Sequence, residues 1–205
     1  MTVSTAHQPE TEEDRPAWAR RPAPGRLALV QQFLNTHAYP GHDDDFACAA
    51  TAQTWLRQHI PAAQIAPDAD PADYRRLRDR LRDYVRGPST LADSTRLTRT
   101  LGHPPLTVDM SATGDITLVS AGSATEWLSG EIAAALVLAV ADGSWRRFKT
   151  CANDECQAIF WDQTKNGSGR FCTPEICGNR FRQRHFRATH PQAKTAGDTP
   201  SFRGA

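Results

Sequence analysis

Four of the chain's five cysteines fall within 27 residues, as Cys151-x4-Cys156 and Cys172-x4-Cys177 with fifteen residues between the pairs. No other feature restricts the fold as much. Two close pairs of thiols joined by a loop of that length can converge on one tetrahedral ion. In a reducing compartment, clustered cysteines hold metal more readily than they form structural disulfides. Two disulfides, an iron–sulfur cluster and four unrelated thiols are the alternatives. No other redox apparatus accompanies the cysteines, so the favoured reading is one structural zinc ion. The commonest knuckles place two residues between cysteines, and two x4 spacings are less usual. Four cysteines would also complete the tetrahedron and leave no place for a catalytic water. So small a module has little apolar surface of its own, and metal binding would supply its fold, on the order of 10 kcal/mol.

The residues around the cysteines fit such a module. QAIFWDQT (157–164) reads as a strand, KNGSG (165–169) as a turn and RFC (170–172) as a returning strand. Thr173 offers an N-cap hydroxyl, Pro174 suits the first helical position, and Cys177 falls in the first turn of a last helix. Strand, turn, strand and helix around four cysteines give a zinc finger of the treble-clef or zinc-ribbon kind. Phe160, Trp161 and Phe171 are expected to pack around the site rather than stack on bases. In the last helix Arg180, Arg184 and Arg187 share one stripe with no acid on that helix to pair with, while Arg182 projects elsewhere. The net charge of the chain is only +1, yet residues 146–190 carry nine Lys and Arg against four acids, as a polyanion footprint would. Arginine's planar fork suits phosphate oxygens and the guanine edge. A helix that is merely solvated, or docked on acids of the preceding domain, is the competing reading. Asn179 is expected to fix either the local turn or the zinc knuckle rather than to read bases.

The remainder reads as mainly helical, with one small β-hairpin. Residues 1–25 have no apolar run and are expected to be disordered, as are 191–205. RLALVQQFLNTHA (26–38) has apolar residues at helical spacing, followed by Gly41 and the acidic run Asp43 to Asp45. Residues 46–60 repeat the pattern. PADYRRLRDRLRDYVRG (71–87) gives a third helix whose arginines alternate with aspartates, as on a solvated face. A fourth is expected over 89–101. LTVDM and DITLVS make a hairpin near 106–120 around Gly114, and residues 126–142 form a helix apolar nearly all round, hence buried. The helical domain thus spans 26–145 and the finger 146–190. The longest apolar stretch, 132–141, is about half the length needed to cross a bilayer. A cytoplasmic protein without a membrane partner is expected. Cys48 reads as a small core residue.

Cys177-Gly178-Asn179-Arg180, preceded by Cys151-Ala152-Asn153, Cys156 and the Phe160 strand, resembles the CGNR zinc finger found at the carboxyl end of bacterial stress-induced transcription regulators. Those proteins carry a helical amino-terminal domain of the ABATE type. Phe33-Leu34-Asn35-Thr36 is similar to that domain's aromatic-x-Asn-Thr signature. The resemblance covers roughly residues 26 to 190. It implies that Cys151, Cys156, Cys172 and Cys177 are zinc ligands and that Arg180, Arg182, Arg184 and Arg187 are contacts to double-stranded DNA. Lys165 and Arg170 of the turn join them as candidates, although KNGSGR carries fewer cations than the family leads one to expect.

Asn35 and Thr36 are unusual within a helix, because their side chains compete for backbone hydrogen bonds. They either end the helix or line a ligand pocket with His37, which would suit a sensor domain. The expected function is a DNA-binding transcription regulator whose helical domain senses a small-molecule effector or forms a homodimer. The alternative is an RNA-binding or protein-interaction adaptor. An enzyme is not expected, since His37, His42, His59 and the aspartates at 43–45 lie in or beside a loop and read as solvated.

Overall fold

The computed structural model describes residues 16, 18–19, 21–39, 41–61, 70–87 and 91–190. Residues 1–15 of the amino-terminal lead and the tail 191–205 lie outside these. Helix α1 (Leu27–Leu34) stops where Asn35 caps it, four residues earlier than the apolar pattern suggests. Helix α2 (Ala49–His59) follows. Helix α3 (Pro71–Arg86) starts at an Asp70 side chain that accepts from Ala72 N at 2.8 Å, with Pro71 in the first turn, where no donor is lost. Helix α4 (Leu91–Leu101) leads into strands β1 (Leu106–Met110) and β2 (Ile116–Ser120), antiparallel with Val108 opposite Leu118. Helix α5 (Ala124–Ala141) opens on a reciprocal cap, with Ser123 and Glu126 exchanging side-chain-to-backbone bonds, and Gly143 at φ 73° turns the chain out of it. A second hairpin pairs β3 (Phe148–Thr150) with β4 (Ile159–Trp161), and the chain ends its described part in α6 (Asn179–Thr189).

One core spans both halves of the molecule. Val30, Phe33 and Leu34 of α1 meet Phe46, Leu56, Tyr74, Leu81, Leu128 and Ile132, all fully buried. Phe46 stacks on Tyr74 with ring centroids 5.3 Å apart and meets Phe33 edge-on at 5.8 Å, arrangements that favour the aromatic quadrupoles. Phe148 of β3 and Ile159 of β4 belong to the same cluster. The cysteine-bearing hairpin therefore buries its inner residues against α1 and α3.

Three expectations change. The arginines of α3 do not form a uniformly solvated face, because Arg78 and Arg82 are buried. Arg78 makes a bidentate pair with Asp44 (2.7 and 2.8 Å) and reaches Asp79 at 3.0 Å. Asp44, from the acidic run read as solvated, anchors the loop after α1 to α3. Helix α5 is buried on one side only; Val137, Leu138 and Val140 are exposed. It is long and apolar enough to cross a membrane, with mean hydropathy 1.4 over 18 residues, yet its inner side lines the core and Glu131 pairs with Arg26. Lastly, the described part of the lead packs rather than wandering. Ala23 is buried, its N–H donates to Gln31 Oε1 at 2.6 Å, and Trp18 lies against the finger.

Because a buried ion pair stripped of one partner leaves an uncompensated charge, Arg78→Ala is expected to cost about 2–4 kcal/mol. Arg76→Ala, which removes an exposed pair on the same helix, should cost under about 1 kcal/mol. Denaturant melts of the two variants check this ordering.

Candidate metal centre

Strands β3 and β4 carry the first cysteine pair in the turn between them. Cys151 N donates to Ala158 O at 2.8 Å, extending the ladder. Cys156 N and Gln157 N both donate to Asn153 O (2.8 and 3.0 Å), closing a tight knuckle. The second pair flanks the start of the last helix. Thr173 O accepts from Cys177 N (2.8 Å) and Gly178 N (3.2 Å), so a wide helical turn over Pro174–Gly178 leads into α6. The Thr173 hydroxyl makes no capping bond, contrary to expectation. The expected return strand at 170–172 is also absent. Ala152 N donates to Arg170 O at 2.8 Å, and that bond carries the loop back beside the knuckle.

The loop is shaped by Asp162, fully buried, which accepts from Lys149 Nζ (2.6 Å), Thr164 N (2.9 Å), Thr164 Oγ1 (2.7 Å) and Gly169 N (2.8 Å). Burial works against its ionisation, but these donors hold its carboxyl well below the usual carboxylate range. A Cβ on Gly169 would sit 2.6 Å from Asp162 Oδ1, so only glycine fits there.

The four sulfurs meet. Cys156 and Cys172 Sγ lie 3.6 Å apart, Cys172 and Cys177 Sγ 3.7 Å apart, and all four fall within 4.8 Å of one another. Tetrahedral coordination with zinc–sulfur bonds of about 2.3 Å places sulfurs about 3.8 Å apart, close to these separations. The proton chemistry agrees. Hydrogen bonds from Cys156 and Cys172 hold the Cys151 thiol well below the usual thiol range, and the neighbouring Cys151 sulfur in turn pushes Cys156 and Cys172 above it. Without a cation, few of the thiols at such separations can ionise together; a dication removes the conflict. Phe160 is buried with the cysteines, and Phe171 and Trp18 pack on them, whereas Trp161 turns to the helical core. The four cysteines are thus arranged to hold one metal ion, consistent with a single structural zinc. Cys48, expected in the core, is exposed at the start of α2.

The expected nucleic-acid contacts divide. The side chains of Arg180, Arg187 and Lys165 are exposed and form no hydrogen bond or ion pair with described residues. Arg184 instead pairs with Glu155 at 2.5 Å and donates to Asn153 Oδ1, so it ties α6 to the knuckle. The acid missing from its own helix comes from between the first two cysteines. Arg182 donates to Asn179 Oδ1, while Asn179 Nδ2 donates to Glu175 O at 2.5 Å, fixing the turn. The Arg170 guanidinium lies over Phe171 and Phe181 at 5.7 and 5.6 Å. Two further cations of the basic surplus are internal: Lys149 holds Asp162, and Arg147 donates to the carbonyls of Asp162, Thr164 and Lys165.

The proposed pocket residues are otherwise engaged. Asn35 and Thr36 are buried, Thr36 Oγ1 donates to Phe33 O at 2.7 Å, and the Asn35 amide bonds Ile159 of β4. His37 Nε2 lies 3.1 Å from Arg82 Nη2. Burial, then the Arg82 and Arg78 charges, depress the His37 pKa to about 4, so its neutral ring accepts from Arg82. These side chains thus bond backbone groups of α1 and β4 and the Arg82 guanidinium. Arg82 and Asp44 also belong to this surround, and the sequence signal for the arginines is the helical spacing of Arg78 and Arg82 beside Tyr74, Leu77 and Leu81.

Residues 147–190 match the family described as CGNR zinc finger. No curated protein matches the chain.

Cys177→Ser should lower metal content from about one ion per chain to well below half by elemental analysis, because oxygen replaces a soft ligand. Cys48→Ser should leave it unchanged. Only the unfolded chain takes up a proton on His37 between pH 6.5 and about 4, so stability should fall as pH drops through that window. The loss relative to His37→Asn is expected to be about 1–2 kcal/mol, reduced from the full pKa difference because the ring is part-exposed. Denaturant midpoints of the two proteins at pH 7.5 and pH 5, metal-loaded, measure it.

Proposed function

We propose that the chain is a nucleic-acid-binding transcription regulator, with α6 of the zinc finger laid against duplex DNA. What supports this most is Arg180 and Arg187. Seven residues apart, they share one side of α6 with exposed side chains that form no hydrogen bond or ion pair with described residues, while neighbouring cations are engaged within the protein. The metal fixes the start of that helix, so the two guanidinium groups are presented from a rigid base. The CGNR match over residues 147–190 is in keeping with nucleic-acid or protein binding. Four cysteines filling a tetrahedron support a structural ion, and the reading is of a non-catalytic, cytoplasmic protein.

Two arginines and Lys165 make a weak footprint on their own, and useful affinity calls for a second contact, as from a homodimer. The helical region is proposed to be of the ABATE type and to serve that end or to sense a small-molecule effector. In support, β1 and β2 expose Val108, Met110 and Ile116 on one face. An apolar groove of about 430 Å³ opens between α4 and α5, lined by Leu97, Leu101, Leu136, Val137 and Val140. A second reading, an RNA-binding or protein-interaction adaptor, draws on Ile176 and Phe186, which are 47% and 61% exposed beside the arginines.

In anisotropy titrations, duplex DNA should bind more tightly than single strands or RNA. The double substitution Arg180→Ala, Arg187→Ala should weaken binding and flatten the slope of log K against log salt by about 2. An unchanged slope, or preference for RNA, would remove the duplex-docking reading.

A further inference from the structure

Strand β4 is three residues long and its outer edge faces α1. Ile159 is fully buried, so its N–H and C=O on that edge need partners, because an unmet buried backbone group is costly. One side chain supplies both. Asn35 Oδ1 accepts from Ile159 N at 2.8 Å, and Asn35 Nδ2 donates to Ile159 O at 2.8 Å. The carboxamide thus stands in for a third strand. Gln31, one turn earlier on α1, reaches Ile159 O at 3.4 Å and Trp18 O at 3.3 Å.

Two residues upstream, Gln157 adopts φ 48°, the left-handed region, immediately after Cys156. Such a conformation is strained for a non-glycine residue and persists only where the surroundings fix it. Here Arg82 Nη2 donates to Gln157 O at 2.9 Å while Arg82 Nη1 donates to Leu34 O at 2.6 Å, and Arg86 Nη2 donates to Gln157 Oε1 at 2.7 Å. Arg82 is buried, and the carbonyl end of α1 supplies the negative pole beside it.

We propose that Asn35 and Arg82 are positioning residues for the metal centre: they hold residues 157–159 so that Cys151 and Cys156 are set for the ion. The contacts land on the knuckle itself, within three residues of Cys156, and come from helices far from it in sequence. Metal binding and order at the end of α1 are therefore linked, and the linkage acts in both directions. The inference rests on the four-thiolate site as a metal centre and is independent of what α6 contacts.

Substitution of groups that orient metal ligands lowers metal affinity 10- to 100-fold in comparable sites. In the full chain, competition with a chromophoric chelator should show zinc affinity falling about 10-fold or more in Asn35→Ala and in Arg82→Met. The exposed control Arg76→Ala, on the same helix as Arg82, should stay within about 2-fold. Affinity within about 2-fold of the parent in both variants would overturn the proposal. A readout free of folding defects uses the unaltered chain. On chelation, amide exchange should quicken at residues 33–37 and 157–159, with little change at 106–120. If faster exchange were confined to 151–178, the metal and α1 would be uncoupled and the proposal wrong.

Discussion

The constraint on which the molecule depends is the close approach of four sulfurs. Thiolates at the separations found here repel one another, and a dication at their centre turns that repulsion into coordination. The consequences run outward through the backbone. The first cysteine pair defines the turn of β3 and β4, and the second sets the start of α6, so the direction of the last helix follows from the ion. Asp162 then organises the loop between the pairs from the other end, with glycine required at 169.

The finger is not an appendage in the energetic sense. Phe148 and Ile159 share the core of the helical region, and Asn35 supplies the hydrogen bonds that β4 would otherwise need from a third strand. Buried arginines do the rest. Arg78 fixes the loop after α1 through Asp44, and Arg82 joins the end of α1 to the residue after Cys156. A polar seam of this kind is specific, since an apolar side chain at 35 would leave the buried Ile159 N–H unpaired and its carbonyl with only the long Gln31 contact.

Much of this could be read in the sequence where the physics is local or periodic. The cysteine spacing disclosed the metal site, the β-branched residues of LTVDM and DITLVS disclosed β1 and β2, and Gly114 between them sits at φ 87° as a hairpin turn requires. The seam could not be read in the same way. Asn35 and Ile159 lie 124 residues apart, and a side-chain-to-backbone bond leaves no repeating pattern. Arg78 and Arg82 looked solvated because aspartates alternate with them, although their spacing from Tyr74 places them on the apolar stripe. The arginine stripe of α6 was visible, but the removal of Arg184 by Glu155 depends on the knuckle's fold, which charge counting does not see.

The account stands on one ion held by Cys151, Cys156, Cys172 and Cys177. X-ray absorption at the zinc edge, on the full chain purified without added metal, measures that directly. Four sulfur neighbours at about 2.3 Å and no nitrogen or oxygen in the first shell are predicted. A shell containing nitrogen or oxygen, or iron in place of zinc, would contradict it.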